Sequence, residues 1–216
     1  MTENLLEDLV INSDEAGITN LLTQNANWLT QKTSYGVSPI MLSCYYKKPE
    51  ITTVLMQFAQ DVDIFEASAA GKFDIVAHQI FKYPNCLNDY SDDGFTPLGL
   101  AAYFGNEEIA RYLVLKGADV NLPSTNGFFI SPLHSAIAGN FTSIAKMLIE
   151  NGAAVNCVQK AGITPLHSAA ENGNVEIIIL LLEKGADVGV RMEGGKLPSD
   201  LASEKGFKEI AEILSV

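Results

Sequence analysis

The stretch Thr164-Pro165-Leu166-His167-Ser168-Ala169-Ala170 decides the fold, because its pattern recurs in phase along the chain. Thr96-Pro97-Leu98 and Ser131-Pro132-Leu133-His134 repeat its beginning upstream. The residue after the proline advances by 35 positions from Leu98 to Leu133 and by 33 positions from Leu133 to Leu166. A period of this length predicts a row of similar units, each packed on its neighbours.

The residues of one unit predict a pair of helices. The Thr164 hydroxyl can cap the first helix, and the proline that follows suits the first helical turn. Small residues, Ala169-Ala170, keep this helix thin, and Gly173 supplies the left-handed residue that ends it. Apolar residues between Ile177 and Leu182 then form the buried stripe of a second helix.

This unit resembles the ankyrin repeat, with its 33-residue period and its Thr-Pro-Leu-His-x-Ala signature. The resemblance covers nearly the whole chain. It implies an all-α ankyrin-repeat solenoid of stacked helix pairs with short β-hairpin loops, curved with a concave face. A narrower resemblance, to small free-standing bacterial ankyrin-repeat proteins, rests on an early missing hairpin and on the stretches 89–98 and 126–139.

The repeat frame predicts a single ankyrin-repeat domain over residues 1–216, with no tail for another domain. The expected parts are an N-terminal cap over 1–32, repeats over 33–60, 61–90, 91–122, 123–157 and 158–190, and a C-terminal cap over 191–216.

Three irregularities carry predictions of their own. The spacing from Ile40 to Ile64 is only 24 residues, nine short of a repeat, which predicts a gap in the row of hairpins. Lys47 stands where other units have the helix-ending glycine, which predicts a less favourable turn there. Asn140 takes the same position in the fourth unit, and asparagine is the next-best residue for a left-handed conformation. Extra residues at 126–130 predict a bulged hairpin tip.

The charge balance limits the partners. With 14 basic and 26 acidic residues, the formal net charge is −12, so nucleic acid and membrane surfaces are poor partners. The charge would attract a basic protein, although solubility alone also accounts for it. We expect a monomer.

The chain shows no export or membrane signal. The start, Met1 to Asp8, lacks the basic and apolar regions of a secretory signal, and no apolar run is long enough to span a bilayer. The three cysteines, Cys44, Cys86 and Cys157, do not suggest a disulfide framework. These features predict a cytoplasmic protein.

The resemblance places partner binding on the concave face, built from hairpin tips and the ends of the inner helices. By position, the hypothetical partner-binding residues are Tyr45, Tyr46, Asp92, Asp93, Phe95, Tyr103, Phe104, Phe128, Phe129, Ile130, Glu171 and Asn172. The aromatic residues suit a protein interface. Alternatively, they pack on adjacent hairpins and fill the gap. The Asp92-Asp93 pair either favours a basic partner or forms a solvated turn.

We expect no catalytic residue, cofactor or metal. The sequence has no glycine-rich phosphate loop and no nucleophile or zinc signature. His134 and His167 lie 33 positions apart, and we expect each to bond within its own turn rather than to bind zinc. The leading hypothesis is therefore a protein-binding scaffold or adaptor. The alternatives are an immunity-type inhibitor of a basic protein and, third, an enzyme with an unrecognised concave-face site.

Overall fold

A computed structural model describes residues 5–215, which form fourteen α-helices arranged as seven consecutive pairs. The helices are α1 Leu5–Ile11, α2 Glu15–Gln24, α3 Pro39–Tyr45, α4 Pro49–Phe58, α5 Ile64–Ala70, α6 Phe73–Lys82, α7 Pro97–Phe104, α8 Glu107–Leu115, α9 Pro132–Ala138, α10 Thr142–Glu150, α11 Pro165–Asn172, α12 Val175–Glu183, α13 Pro198–Glu204 and α14 Lys208–Ile213. Short 3-10 turns lie at Ala26–Thr30, Pro84–Asn88 and Lys160–Gly162.

The first helix of a unit begins and ends as the sequence predicts. The Thr96 and Thr164 hydroxyls accept hydrogen bonds from the backbone amides of Gly99 and His167, at 3.0 and 3.4 Å, and so cap α7 and α11. A left-handed residue follows most of these helices, usually a glycine. Two of the exceptions are those expected, because Lys47 and Asn140 have φ of 53° and 57°, and Ser13 after α1 is a third, with φ of 59°.

The helix pairs stack into an all-α solenoid. The odd-numbered helices pack on one another from α1 to α13, and their alanines, such as Ala101 and Ala169, are fully buried between neighbours. Among the even-numbered helices, α2 packs on α4, and α6, α8, α10 and α12 pack in series. By contrast, α4 and α6 make little contact, and the apolar core divides near this point into two clusters.

The loops between units close as tight turns. Backbone hydrogen bonds join Thr33 to Val37 at 2.8 Å, Ser91 to Phe95 at 2.9 Å and Gln159 to Ile163 at 3.0 Å. Residues 5–215 contain no extended strand and only one isolated bridge, at Gln159 and Ile163, because each loop is too short for a ladder. The expected β-hairpins are thus hairpin-like turns, called hairpins below.

Successive hairpins are linked tip to tip, except at the predicted gap. The amides of Thr125, Lys160 and Glu193 each donate to a carbonyl of the preceding hairpin, at 2.7 to 2.8 Å. Between α4 and α5 only residues 59–63 remain, too few for a hairpin, so the predicted gap is confirmed. The bulged tip is also confirmed, because Ser124 pairs with Ile130, six residues ahead, rather than four.

Residues 1–4 and 216 lie outside the described residues. The start of the expected N-terminal cap and part of the stretch predicted not to be a secretory signal fall among them. No helix in residues 5–215 has the length and apolar character that a membrane crossing requires.

Candidate functional site

The candidate surface is the inner face, which we define as the hairpins together with the last residues of the odd-numbered helices. The structure divides its predicted aromatic residues into exposed and packed groups. The exposed residues, with their exposed fractions, are Tyr46 (40%), Tyr103 (44%), Phe128 (50%) and Phe129 (56%). The partly buried residues are Tyr45, Phe95 and Phe104, and Ile130 is also partly buried.

The packed aromatics form a cluster across the gap. The Tyr45 ring from the first repeat lies 5.3 Å from Phe104 and 5.9 Å from Tyr103, between ring centroids. Phe95 adds a contact with Tyr103 at 6.4 Å. Large residues from the first and third repeats can meet because the second repeat has only Ala69 and Ala70 at the equivalent positions. For these rings, the gap-filling alternative describes the packing.

The Tyr45 hydroxyl ties this cluster to the acidic hairpin. It donates a hydrogen bond to the Asp93 carboxylate, which also accepts one from the Ser91 hydroxyl. Burial raises the pKa of Tyr45, and the Asp93 carboxylate raises it further. Tyr45 therefore remains a neutral donor at physiological pH.

Apart from Tyr103, which belongs to this cluster, the exposed aromatics lie on either side of it. Tyr46 packs edge-on against Tyr35, with 6.4 Å between ring centroids and 3.1 Å between the hydroxyl oxygens. Phe128 and Phe129 project from the bulged hairpin, where the Lys160 ammonium lies 4.8 Å from the Phe128 ring centroid. These rings are held by neighbours but keep a large surface open to solvent.

Four carboxylates gather where the hairpin is missing. A cleft of about 250 Å³ is lined by Asp63, Glu66, Asp92 and Asp93. Burial raises the pKa of Asp63 and of Glu66, and the Asp92 and Asp93 charges raise that of Asp63 further. The Asp92 carboxylate spans the gap to the Lys32 ammonium at 2.8 Å. Asp92 is thus exposed but paired with a lysine across the gap, whereas Asp93 is bonded to Tyr45.

The two remaining predicted residues make contacts within the chain. The Asn172 amide nitrogen donates to the Ile137 carbonyl at 2.6 Å, at the end of α9. The Glu171 carboxylate forms an ion pair with Lys205 at 3.1 Å, and both side chains are about half exposed. Asn172 thus joins two repeats, whereas Glu171 lies in a weak surface pair.

The two repeat histidines bond within their own turns, as predicted. His134 Nδ1 lies 2.9 Å from the Ser131 hydroxyl, and its Nε2 lies 3.2 Å from the Ile163 carbonyl. His167 repeats this arrangement with Thr164 at 2.8 Å. Burial lowers the pKa of His134 to about 4 and also lowers that of His167. In the described part of the chain, no three His, Cys, Asp or Glu residues are placed to hold a metal.

One base does lie beside a nucleophile, which the sequence did not reveal. The Cys157 sulfur is 3.6 Å from His134 Nδ1. Burial raises the pKa of the Cys157 thiol while it lowers the pKa of His134, so both groups stay neutral. A reactive cysteine needs the opposite shifts, which favour the thiolate. This contact is therefore packing within the fourth repeat.

A cavity of about 650 Å³, which was not predicted from the sequence, lies on the side of the aromatic cluster away from the hairpins. It is lined by Lys47, Lys48 and Lys72 together with small residues from the second and fourth repeats. The only signal in the sequence was the alternation of large and small residues at one repeat position.

The comparisons with known proteins agree with this geometry. A family model described as ankyrin repeats (3 copies) matches residues 8–124, 64–158 and 133–215. The chain belongs to the ankyrin-repeat family. This ankyrin-repeat chain is 43% identical, over 70 residues, to an ankyrin repeat protein of Rickettsia felis, covering 32% of this chain and 30% of that one. The bacterial resemblance has this weak support.

Two eukaryotic relatives also match the ankyrin-repeat chain. The RelA-associated inhibitor of Mus musculus is 34% identical over 92 residues, which is 43% of this chain and 11% of that protein. The "Probable 26S proteasome regulatory subunit p28" of Saccharomyces cerevisiae is 28% identical over 144 residues, which is 66% of this chain and 53% of the yeast protein. The matched regions thus cover about half or less of these relatives.

Membership of the family indicates a general function. Ankyrin repeats are protein–protein interaction modules, generally without catalytic activity, so the chain is an interaction module for a protein partner.

Proposed function

We propose that the chain is a non-catalytic scaffold or adaptor that binds a partner protein on its concave inner face. The observation that carries this proposal is the set of exposed aromatic side chains on that face. Tyr46, Tyr103, Phe128 and Phe129 each leave 40% or more of their surface open, in the first, third and fourth repeats of one stack. Exposed aromatics of this kind supply the anchors of protein interfaces.

Hydrogen bonds between the hairpins also support the proposal. The Thr125 amide links the bulged hairpin to the hairpin of the third repeat, and the Lys160 amide links the hairpin of the fifth repeat to the bulged one. The Phe128 carbonyl is itself the acceptor for the Lys160 amide. A surface fixed in advance loses little conformational entropy when it binds, which favours affinity.

Affinity capture from a lysate of the source cells tests the proposal. The variant combines Tyr103→Ala with Phe128→Ala, which removes two exposed rings and leaves Tyr45 and Phe104 in place. We expect the variant to lose a protein that the wild-type chain retains, by about tenfold or more, as is typical when interface anchors are truncated.

The matched control removes two exposed apolar side chains from the even-numbered helices instead. Phe81 and Leu115 occupy equivalent positions on α6 and α8 and are 86% and 80% exposed. The Phe81→Ala/Leu115→Ala variant should retain the partner. If this control lost the partner while the inner-face variant kept it, the binding site would lie on the even-numbered helices, and the concave-face proposal would be wrong.

A second candidate is an inhibitor or immunity-type antagonist of a basic protein. The four carboxylates of the gap and the net charge of −12 support it, and one relative is named as an inhibitor. Such binding would depend on charge, so its association rate should fall steeply as salt rises from 50 to about 300 mM. An aromatic-anchored adaptor would show a much smaller change in the same measurement.

We further propose a cytoplasmic location and a monomeric state. The three cysteines, Cys44, Cys86 and Cys157, are all free thiols, as expected in a reducing compartment. An enzyme with an unrecognised site remains the third hypothesis, supported by no arrangement of residues described above.

A further inference from the structure

The cavity of about 650 Å³ lies where the first repeat separates from the second. One wall is the start of α4, and the opposite wall is formed by Lys72 and the ends of α5 and α7. Because no hairpin joins α4 to α5, the second helices of these two repeats spread apart, and α4 and α6 make little contact. The cavity is thus a consequence of the nine missing residues.

Side-chain size sets the shape of the cavity. The residue pairs that end the first helices alternate between large and small along the stack. Tyr45-Tyr46 and Tyr103-Phe104 are large, whereas Ala69-Ala70 and Ala138-Gly139 are small. The floor is therefore formed by small residues between the Tyr45, Phe104 and Phe141 rings, an apolar lining of the kind that holds drug-sized ligands.

The charge of the lining is opposite to that of the molecule. Lys47, Lys48 and Lys72 line the cavity, and no aspartate or glutamate does. This is unexpected in a chain with 26 acidic and 14 basic residues. The cavity also lies at the N-terminal ends of α4 and α6, where the helix dipole adds positive potential.

The three lysines differ in their contacts. The Lys48 ammonium donates to the Ile11 carbonyl at 2.7 Å and to the Ser13 hydroxyl, so it is committed to the first helix pair. Within residues 5–215, neither Lys47 nor Lys72 has a side-chain hydrogen bond or an ion pair. Two ammonium groups at the cavity are therefore without a partner.

Lys72 is the exception among the lysines and asparagines at its repeat position. These are Lys48, Lys72, Asn106 and Asn174, whose backbone amides each bond to the carbonyl five residues earlier, whereas Asp14, Phe141 and Phe207 hold this position in the other units. The Lys48, Asn106 and Asn174 side chains all reach back to the preceding unit. Lys72 makes no such bond across the described residues. The separation of the repeats thus leaves its charge available to a ligand.

We infer that this cavity binds an organic anion, in which a carboxylate or similar group is attached to an aromatic or aliphatic body. The anionic group contacts Lys47 and Lys72, and the body lies on Ala69-Ala70 between the aromatic rings. The site is separate from the exposed aromatics of the inner face, apart from Tyr103, which lines both.

Three matched probes test the inference by ¹⁵N-¹H NMR titration at pH 7 and low salt. They are 3-phenylpropionate, 3-phenylpropanamide and 3-phenylpropylamine, which share one body and carry a negative, neutral or positive group. The anion should give saturable shifts at the Tyr45, Lys72 and Asn106 amides. Two partly exposed ion pairs are worth about tenfold together, so we expect 3-phenylpropionate to bind about tenfold more tightly than the amide.

Two variants separate charge from shape. Lys47→Gln/Lys72→Gln should reduce the affinity for 3-phenylpropionate to that for the amide. Lys116→Gln/Lys184→Gln, which changes the net charge equally at exposed positions far from the cavity, should leave it unchanged. Ala70→Leu fills the cavity floor and should weaken all three probes, with the fold verified by its NMR spectrum.

Equal binding of the three probes, or shifts that map outside the cavity, would overturn the inference. So would an anion preference that survives in the Lys47→Gln/Lys72→Gln variant. A capped peptide, acetyl-Gly-Glu-Phe-Glu-Gly-amide, distinguishes the source of the anion. Tighter binding of the peptide than of 3-phenylpropionate would assign the site to an acidic segment of a protein, and weaker binding would assign it to a free small molecule.

Discussion

The junction between the first and second repeats and the junction between the fourth and fifth are built from the same unit in different ways. At the later junction, a hairpin is present, its tip bonds to the next one, and His134 bonds to the Ile163 carbonyl of the following repeat. At the earlier junction the hairpin is absent. There, side chains make the contacts across the gap, through the Tyr45 hydrogen bond to Asp93 and the ion pair of Lys32 with Asp92.

The difference shows where a repeat protein can carry charged groups that its own backbone does not need. A regular junction uses its polar groups to satisfy its own backbone, and little remains unpaired. The irregular junction holds four carboxylates on one side of the aromatic cluster and three lysines on the other. Departures from a consistent local pattern are expected at functional sites, and both candidate charged sites of this chain lie at its one missing hairpin.

Acidification should act on the two junctions with opposite sign. The pKa of His134 falls from 6.5 to about 4 on folding, so its contribution to stability is fully present above pH 6.5 and is lost as the pH falls towards 4. Over that window the loss is roughly 3 kcal/mol. The pKa of Asp63 and of Glu66 is raised instead, so the cost of burying these two charges at the gap is relieved as the pH falls.

Urea unfolding at pH 7, 6 and 5 measures this effect. The His134→Gln variant should be less stable than the wild type at pH 7 but should lose much less stability between pH 7 and pH 5. His78→Gln, the same substitution at an exposed histidine, is the control. A wild-type stability that is flat or rises from pH 7 to pH 5, with the same slope in His134→Gln, would contradict the prediction.

A regular helix end should tolerate change less well than an irregular one. Gly105 ends α7 with φ of 77°, and a Cβ there would lie 2.4 Å from the Phe141 ring of the next repeat. Left-handed strain and crowding together should make Gly105→Ala about 2 kcal/mol less stable than the wild type in urea unfolding.

A double-mutant cycle with Phe141→Ala tests this cause. Removing the ring should relieve the crowding, so the cost of Gly105→Ala should fall by about half in the Phe141→Ala background. Equal costs in both backgrounds would mean that the ring is not responsible, and that backbone strain alone accounts for the loss.

The repeat frame was predictable from sequence because it depends on local residues in fixed order. Thr164 with its proline, the paired alanines and Gly173 each specify a conformation by their own chemistry, so α11 and its equivalents follow directly. The left-handed Lys47 and the gap before Ile64 followed from the same frame. The exposure of the aromatic side chains did not follow from the repeat frame, because whether Tyr45 is packed and Tyr103 exposed depends on Ala69 in another repeat. The cavity depends in the same way on residues from four repeats.

Lys47 should show a smaller effect than Gly105 and allows a direct comparison with it, because the same position holds a lysine in one repeat and a glycine in another. Its φ of 53° costs a residue with a side chain roughly 1 kcal/mol, so Lys47→Gly should stabilise the fold by about that amount. Asn140→Gly, at the equivalent position, should gain less, because asparagine tolerates this conformation.

The same Lys47→Gly variant should bind 3-phenylpropionate more weakly while it resists urea better. A gain in stability joined to a loss of binding is the pattern expected where a strained residue is kept for a ligand. Urea unfolding and NMR titration of the one variant measure both. If Lys47→Gly were no more stable than the wild type, the strain at this turn would be relieved by local contacts. A lysine at this position could then be explained without a ligand.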